Sequence, residues 1–116
     1  MNESLELALC AARAADDKQG IDTIVFDVGE LLSITEYFVI TSASNKRLVR
    51  AISDHIEERI KSDLVRSPLR VEGHREQQWV LIDYGDVIVH VFAQETRDFY
   101  EIERLYKDAE RVEWRA

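Results

Sequence analysis

The chain is poor in several residue types, and each shortage excludes a class of protein. Cys10 is the one cysteine among 116 residues, so an intramolecular disulfide framework and a cysteine metal cluster are both excluded. One proline and four glycines argue against a low-complexity polymer. No apolar run approaches the ~20 residues that a membrane-spanning helix needs, and the start MNESLELAL lacks the basic region of a signal peptide. We therefore expect one cytoplasmic domain.

Basic residues are also scarce relative to acidic ones. The chain carries 23 acidic and 15 basic residues, which gives a net charge of −8. Neutralisation of phosphates by Lys and Arg dominates affinity for nucleic acid, so little direct RNA contact is expected. A basic protein surface is the better partner, because opposite potentials steer encounter. The alternative, that the charge serves only solubility, stays open. Hydrophobic residues make up 46% of the chain, which is enough for a core.

Common catalytic signatures are missing as well. The sequence has no G-x-x-x-x-G-K, G-x-G-x-x-G, H-E-x-x-H or G-x-S-x-G motif. Its histidines, at 55, 74 and 90, are interpreted as structural or interface residues. Four carboxylates near predicted strand ends could pair around Mg²⁺; they are Asp27, Glu30, Asp83 and Asp86. Asp86 is also the expected second residue of a turn, which weakens that alternative. We predict no catalytic residue, no cofactor and no metal site.

The most informative segment is WVLIDYGDVIVHVF, from Trp79 to Phe92. It predicts two strands joined by Gly85-Asp86, because two-residue hairpin turns favour glycine where φ must be positive. Side chains alternate between the two faces of such a hairpin. One face is mostly aliphatic and is predicted to be core: Val80, Ile82, Tyr84, Val87, Val89 and Val91. The other face is mixed and suggests a docking surface or a site: Trp79, Leu81, Asp83, Ile88, His90 and Phe92.

The remaining elements are predicted from hydrophobic periodicity and turn signals. They are a helix at 4–18, strands at 21–28 and 37–41, a helix at 44–63, a short edge strand at 69–71 and a helix after Phe92 that reaches Ala109. Residues 110–116 are predicted to fray, with Trp114 isolated among charges. In the segment after the hairpin, Phe99 is expected to face inward, and Arg97 and Tyr100 to lie at the surface. The order predicts a single α/β domain with a mixed, roughly five-stranded sheet and flanking helices that cover mainly one face.

Several blocks of this sequence carry a family resemblance. They are DTIVFDVGELLSITEYFVITSA at 22–43, NKRLVRAISDHIEE at 45–58, EG at 72–73, and WVLIDYGDVIVHVF followed by ETRDFYEIERLY within 79–106. The last block is close to the pattern W-V-L-L-D-Y-G-D-V-V-V-H-V-F and E-x-R-x-F-Y-x-L-E-x-L-W of the ribosomal silencing factor family, RsfS or Iojap. The chain resembles that family over about residues 4 to 109. Gln94 stands where the family commonly has Pro, and Tyr106 where it has Trp.

The resemblance implies a fold and a function. It implies a core similar to that of nucleotidyltransferases, spanning residues 1–109, followed by a short charged tail at 110–116. It also implies binding to the large ribosomal subunit through universal large-subunit ribosomal protein fourteen, which blocks small-subunit joining and represses translation when nutrients are short. No catalysis is implied. The partner-binding residues carried over are Trp79, Asp83, Tyr84, Asp86, His90, Arg97, Tyr100 and Glu103. Tyr84 enters this set although the hairpin register places it on the core face.

Three alternatives remain at this point. A role in large-subunit assembly would use the same partner. A nucleotidyltransferase-like enzyme is disfavoured, because the helix start TSASNKR lacks the Gly-Ser pair of such enzymes and the acids of D-Y-G-D lie on a turn at a spacing of three. A homodimerisation module is the third alternative, since an incompletely covered sheet face could associate with a second copy.

Overall fold

A six-stranded mixed sheet and two long helices make up most of the computed structural model, which describes residues 2–115. The helices are α1 (Glu3–Asp17), α2 (Lys46–Leu64) and the short α3 (Gln94–Tyr100), which is followed by a 3₁₀ helix at Ile102–Tyr106. The strands are β1 (Ile21–Asp27), β2 (Tyr37–Ala43), β3 (Arg70–Glu72), β4 (Trp79–Asp83), β5 (Val87–Ala93) and β6 (Glu110–Arg111). Their order in the sheet is β3-β4-β5-β2-β1-β6, and only β2 and β5 run parallel. The predicted single α/β domain with a mixed sheet is confirmed, with six strands instead of five.

The hairpin has the predicted register. Trp79 is paired with Phe92 and Leu81 with His90, and the Tyr84 N–H donates to the Val87 carbonyl at 2.9 Å. Gly85 has φ of +90°, a conformation that costs a side chain energy and glycine little. The six residues of the predicted core face are all buried, against α1 and α2: Val80, Ile82, Tyr84, Val87, Val89 and Val91.

Both long helices present an apolar stripe to this face of the sheet. In α2 the buried apolar positions Val49, Ile52, Ile56 and Ile60 recur at helical spacing. The helix is capped by Asn45, whose side chain accepts from the Leu48 N–H at 2.9 Å. In α1 the cap is Asn2, whose side chain accepts from the N–H groups of Ser4 and Leu5.

The opposite face of the sheet is only partly covered. A second buried cluster lies there, made of Phe26, Val28, Phe38, Ile40, Phe92 and Ile102. The predicted helix from residue 94 to residue 109 is wrong in its length, because α3 ends at Tyr100 and Glu101 adopts φ of +45°. This turn redirects the chain, so that the 3₁₀ helix packs Ile102 into the cluster and places the Tyr106 ring 4.9 Å from the Phe38 ring.

The C-terminal segment is part of the fold, and the expectation that it frays is wrong for residues 110–115. β6 pairs with the end of β1, and the Val112 N–H donates to the Val25 carbonyl at 2.8 Å. Trp114 is 6% exposed, and its indole N–H donates to the Thr23 carbonyl at 2.9 Å. The Trp114 ring therefore fills the core beside α1 and is not isolated. The division of the chain at residue 109 and the likeness to nucleotidyltransferases stay predictions.

Within residues 2–115, the helices are too short or too polar to cross a bilayer.

Candidate partner-binding surface

Three aromatic side chains form a continuous surface where β4 begins and α3 ends. The half-buried Trp79 ring lies 5.2 Å from the Tyr100 ring, and the Tyr100 ring lies 4.9 Å from the Phe99 ring. Tyr100 is 55% exposed and Phe99 is 79% exposed. We call Trp79, Phe99 and Tyr100 the aromatic surface. Exposed aromatic groups of this size are typical of interface hot spots.

The structure reverses the exposure that the sequence predicted for Phe99 and Arg97. Phe99 was expected in the core and Arg97 at the surface, but Phe99 is exposed and Arg97 is 4% exposed. The cause is the short α3: the chain leaves the helix at Glu101, so the apolar side chain that packs inward is Ile102 instead of Phe99. The helical spacing of apolar residues continues past residue 100, so the sequence pattern could not reveal that the helix ends there.

The Arg97 guanidinium donates four hydrogen bonds inside the protein. Its Nη1 donates at 2.9 Å both to the Ile21 carbonyl and to the Ser42 hydroxyl. Its Nη2 donates to the Asp22 carbonyl at 2.8 Å, and its Nε donates to Glu103 at 3.1 Å. Arg97 and Glu103 were both predicted to bind a partner. The structure instead gives Arg97 the role of fastening α3 to the irregular start of β1, with Glu103 as its partially exposed counterion.

The rim of the aromatic surface is acidic. Segment 94–106 contains four carboxylates and two arginines. One of the two arginines, Arg97, is buried. Glu95, Asp98 and Glu101 are exposed, and Arg104 pairs with Glu101 at 3.3 Å. The charge left at the rim is therefore negative, which favours a partner that carries basic side chains.

His90 lies beneath Trp79 on the mixed face. The Trp79 indole Nε1 donates to His90 Nδ1 at 3.1 Å. His90 is 5% exposed, and its Nε2 is buried without a hydrogen-bond partner within residues 2–115. Burial lowers the pKa of His90 from 6.5 to about 4, because the charged ring would lose its solvation. The imidazole is therefore neutral at physiological pH, and it is not itself accessible to a partner.

Asp86 stabilises the other end of the hairpin. Its carboxylate accepts two hydrogen bonds from the Arg66 guanidinium, at 2.8 and 3.0 Å. It also accepts one from the Ser4 hydroxyl at 2.6 Å. The hydrogen bonds from Arg66 are the main reason that the pKa of Asp86 is lowered. These contacts tie the N-terminus of α1 and the chain after α2 to the β4–β5 turn.

Asp83 belongs to the same end. Its carboxylate accepts from the Gly85 N–H at 2.7 Å and from Arg70 Nε at 3.1 Å. It closes the turn and pairs across to the edge strand β3. Asp83 is thus four residues along β4 from Trp79, or roughly 13 Å at the usual rise of a strand, and Asp86 lies beyond it in the turn. The structure does not bring them together with the aromatic surface.

Tyr84 cannot contact a partner from its position. It is 2% exposed, lies in the core between the sheet and the long helices, and its hydroxyl has no hydrogen-bond partner within residues 2–115. Burial also raises the pKa of this phenol well above its ordinary range. The register had already placed Tyr84 on the core face, and its inclusion among contact residues is corrected here.

Within residues 2–115, His, Cys, Asp and Glu side chains do not gather in any group of three or more that could hold a metal ion. Of the predicted contact residues, Trp79 and Tyr100 are the ones that lie in the aromatic surface, with His90 beneath Trp79; that they contact a partner stays a prediction. Phe99 and Arg97 are the residues whose environments the sequence prediction misplaced.

Comparisons with known proteins show which family the chain belongs to. The family model described as "Ribosomal silencing factor during starvation" matches residues 1–116. The chain is 35% identical to the ribosomal silencing factor RsfS of Bacillus subtilis over 109 residues, covering 94% of this chain and 91% of that protein. It is 31% identical over 87 residues to the mouse protein named mitochondrial assembly of ribosomal large subunit protein 1, covering 73% of this chain and 38% of that protein.

A solved structure extends the similarity to the whole fold. A crystal structure of a Chromobacterium violaceum protein superimposes with a TM-score of 0.86 at 30% identity, covering 99% of this chain and 94% of that chain. The six-stranded sheet and its helices are therefore shared with an experimentally determined relative. Sequence and structure together show that the chain belongs to the ribosomal silencing factor family, RsfS.

Proposed function

We propose that this protein binds the large ribosomal subunit through universal large-subunit ribosomal protein fourteen, blocks joining of the small subunit and so represses translation. Family membership supports a ribosome-associated regulatory role. The observation that carries the proposal is the aromatic surface, in which Phe99 and Tyr100 are 79% and 55% exposed at the end of a folded sheet. Such side chains are costly to leave in water and are the usual anchors of protein interfaces.

Charge supports the kind of partner. The protein carries a net charge of −8, and the rim of the aromatic surface is acidic. A ribosomal protein that itself contacts RNA needs basic side chains, so its potential complements this surface. Binding alone is sufficient for the effect, because a bound protein excludes the small subunit sterically if both need the same surface. The proposal is therefore non-enzymatic and places the protein in the cytoplasm with the ribosomes.

The test is sedimentation of purified protein with separated ribosomal subunits. We expect co-migration with the large subunit, and loss of joined ribosomes when the small subunit is added. Phe99→Ala removes an exposed ring and should abolish most of both effects while leaving the free energy of unfolding unchanged. The matched control is Leu69→Ala. Leu69 is similarly exposed, at 74%, but it lies beside the turn at Gly85, away from the aromatic surface. Equal behaviour of the two variants would contradict the proposal.

A role in large-subunit assembly is the second candidate. The mouse relative is named for that process, which favours it specifically. The same gradients separate the two roles: co-migration with the large subunit but undiminished formation of joined ribosomes would support assembly over repression.

A further inference from the structure

Trp79 has no polar atom left to offer a partner. Tryptophan carries one donor, the indole N–H, and no acceptor. That N–H donates to His90 Nδ1 at 3.1 Å inside the protein. The exposed part of the side chain therefore presents only the apolar ring and its π-electrons.

Within residues 2–115, the only hydrogen-bond partner of the His90 ring is the Trp79 indole. Its ring is packed edge-on against Phe38 with centroids 4.8 Å apart, and parallel to Phe92 with centroids 6.1 Å apart. Because the indole can only donate, His90 Nδ1 must be unprotonated, and the neutral ring carries its proton on Nε2. That Nε2 is buried and unpartnered within residues 2–115. An orphaned donor of this kind has a cost of its own, so the histidine is hard to explain by packing, where phenylalanine would serve.

We propose that His90 is a positioning residue: it takes up the only donor of Trp79 and fixes the indole so that the partner meets a rigid, purely π and apolar ring. This inference deepens the proposed function and rests on it for the identity of the partner.

The geometry also defines the chemistry of the contact. The Trp79 ring packs against Phe92, with ring centroids 4.7 Å apart, and against Tyr100, with centroids 5.2 Å apart. A ring held in this way binds best to a flat or cationic group, and a guanidinium or ammonium group over its face gains a cation–π interaction. The exposed carboxylates Glu95 and Asp98 at the rim favour the same groups. A partner Arg or Lys side chain stacked on Trp79 is therefore the contact that His90 prepares.

The first arm of the test uses the isolated protein and needs no ribosome. In ¹⁵N-labelled protein, the indole resonance of Trp79 is assigned by its loss in Trp79→Phe, which separates it from that of Trp114. We expect His90→Phe to move this resonance upfield, as for a lost hydrogen bond. His90→Asn, whose amide oxygen can take the place of Nδ1, should keep it near the wild-type position. An unchanged resonance in His90→Phe would overturn the positioning role.

The second arm measures affinity for purified large subunits in a double-mutant cycle. Freeing a side chain at an interface costs affinity through its lost ordering, so His90→Phe should weaken binding by roughly two- to tenfold. In the Trp79→Phe background the same substitution should have no further effect, since no indole N–H remains to be held. Equal losses in both backgrounds would show that His90 acts independently of Trp79, which contradicts the inference.

Failure of the proposed function gives a different pattern. If the wild-type protein does not bind large subunits, the contact with a ribosomal Arg or Lys is wrong. The indole resonance still decides whether His90 holds Trp79.

Discussion

Arg97 Nη2 donates to the carbonyl oxygen of Asp22 at 2.8 Å, and Asp22 has φ of +47° in the irregular start of β1. A buried guanidinium thus donates to two neighbouring backbone carbonyls, those of Ile21 and Asp22, at this irregularity. The bonds hold a strained backbone segment in place, because a non-glycine residue at positive φ persists only when its surroundings enforce it.

Removal of Arg97 should destabilise the fold. Arg97→Ala removes the counterion of Glu103 and the hydrogen bonds that Arg97 donates to the Ile21 and Asp22 carbonyls, so we expect a loss of about 3 to 5 kcal/mol in the free energy of unfolding. Urea denaturation followed by circular dichroism measures it. Arg104→Ala is the control, since the Arg104 side chain is 80% exposed and its loss should cost little. If Arg97→Ala were as stable as Arg104→Ala and only ribosome binding suffered, Arg97 would be an interface residue after all.

Stability should depend on pH through His90. Its pKa is about 4 when folded and near 6.5 in the unfolded chain. Below pH 6.5 the unfolded chain binds this proton while the folded protein does not. Stability is therefore lost as the pH falls from 6.5 towards 4, by up to about 3 kcal/mol, with no further loss from this group below that range.

The matched measurement is the difference in unfolding free energy between the wild type and His90→Phe at several pH values. All other ionisable groups are present in both proteins, so their contributions to the pH dependence largely cancel. We expect the unfolding free energy of the wild type to fall relative to that of His90→Phe as the pH is lowered from 6.5 towards 4. A difference independent of pH would mean that the folded protein binds the proton as readily as the unfolded chain.

Binding to the large subunit should weaken as salt rises. The acidic rim is exposed, and exposed charges are screened within about 8 Å at physiological ionic strength. Asp98→Asn should lower the salt dependence, whereas Phe99→Ala should weaken binding at every salt concentration and leave the dependence intact. Affinity measured over a salt series distinguishes these patterns. Salt-independent binding by the wild type would point to an interface made by the aromatic rings alone.

The C-terminal segment should contribute to stability. Deletion of residues 112–116 removes the buried Trp114 ring and leaves the Thr23 and Val25 carbonyls without their donors. We expect a loss of about 3 kcal/mol or more, the usual scale for deleting a buried aromatic side chain. Thermal unfolding of the truncated protein beside the full chain provides the measurement. A matching melting temperature for both would restore the original expectation that this segment frays.

The parts of the fold that the sequence predicted are those set by local rules. Gly85-Asp86 fixed the hairpin register, and strict alternation then assigned Val80 and Ile82 to the core face. The apolar stripe of α2 was equally clear, because Leu48, Ile52, Ile56 and Ile60 recur at i, i+4 spacing, and the three isoleucines are fully buried.

The parts that it missed depend on distant contacts. The helical pattern after residue 94 gives no sign that Glu101 turns to positive φ, so Arg97 and Phe99 were assigned to the wrong environments. The two-residue β6 is too short to leave a periodic signal, and Trp114 finds its place only against α1 and β1. The register places Trp79 and His90 on the same face, but the hydrogen bond between them and the tautomer of His90 require the geometry.

Short strands close both edges of the sheet. β3 has three residues and β6 has two, and each carries exposed arginine and glutamate side chains. Edges of this kind offer few free backbone groups to an added strand and repel apolar neighbours. The four longer strands between them are thereby protected from serving as a template for fibril growth. The protein can present exposed aromatic rings in a crowded cell with less risk of edge-to-edge aggregation.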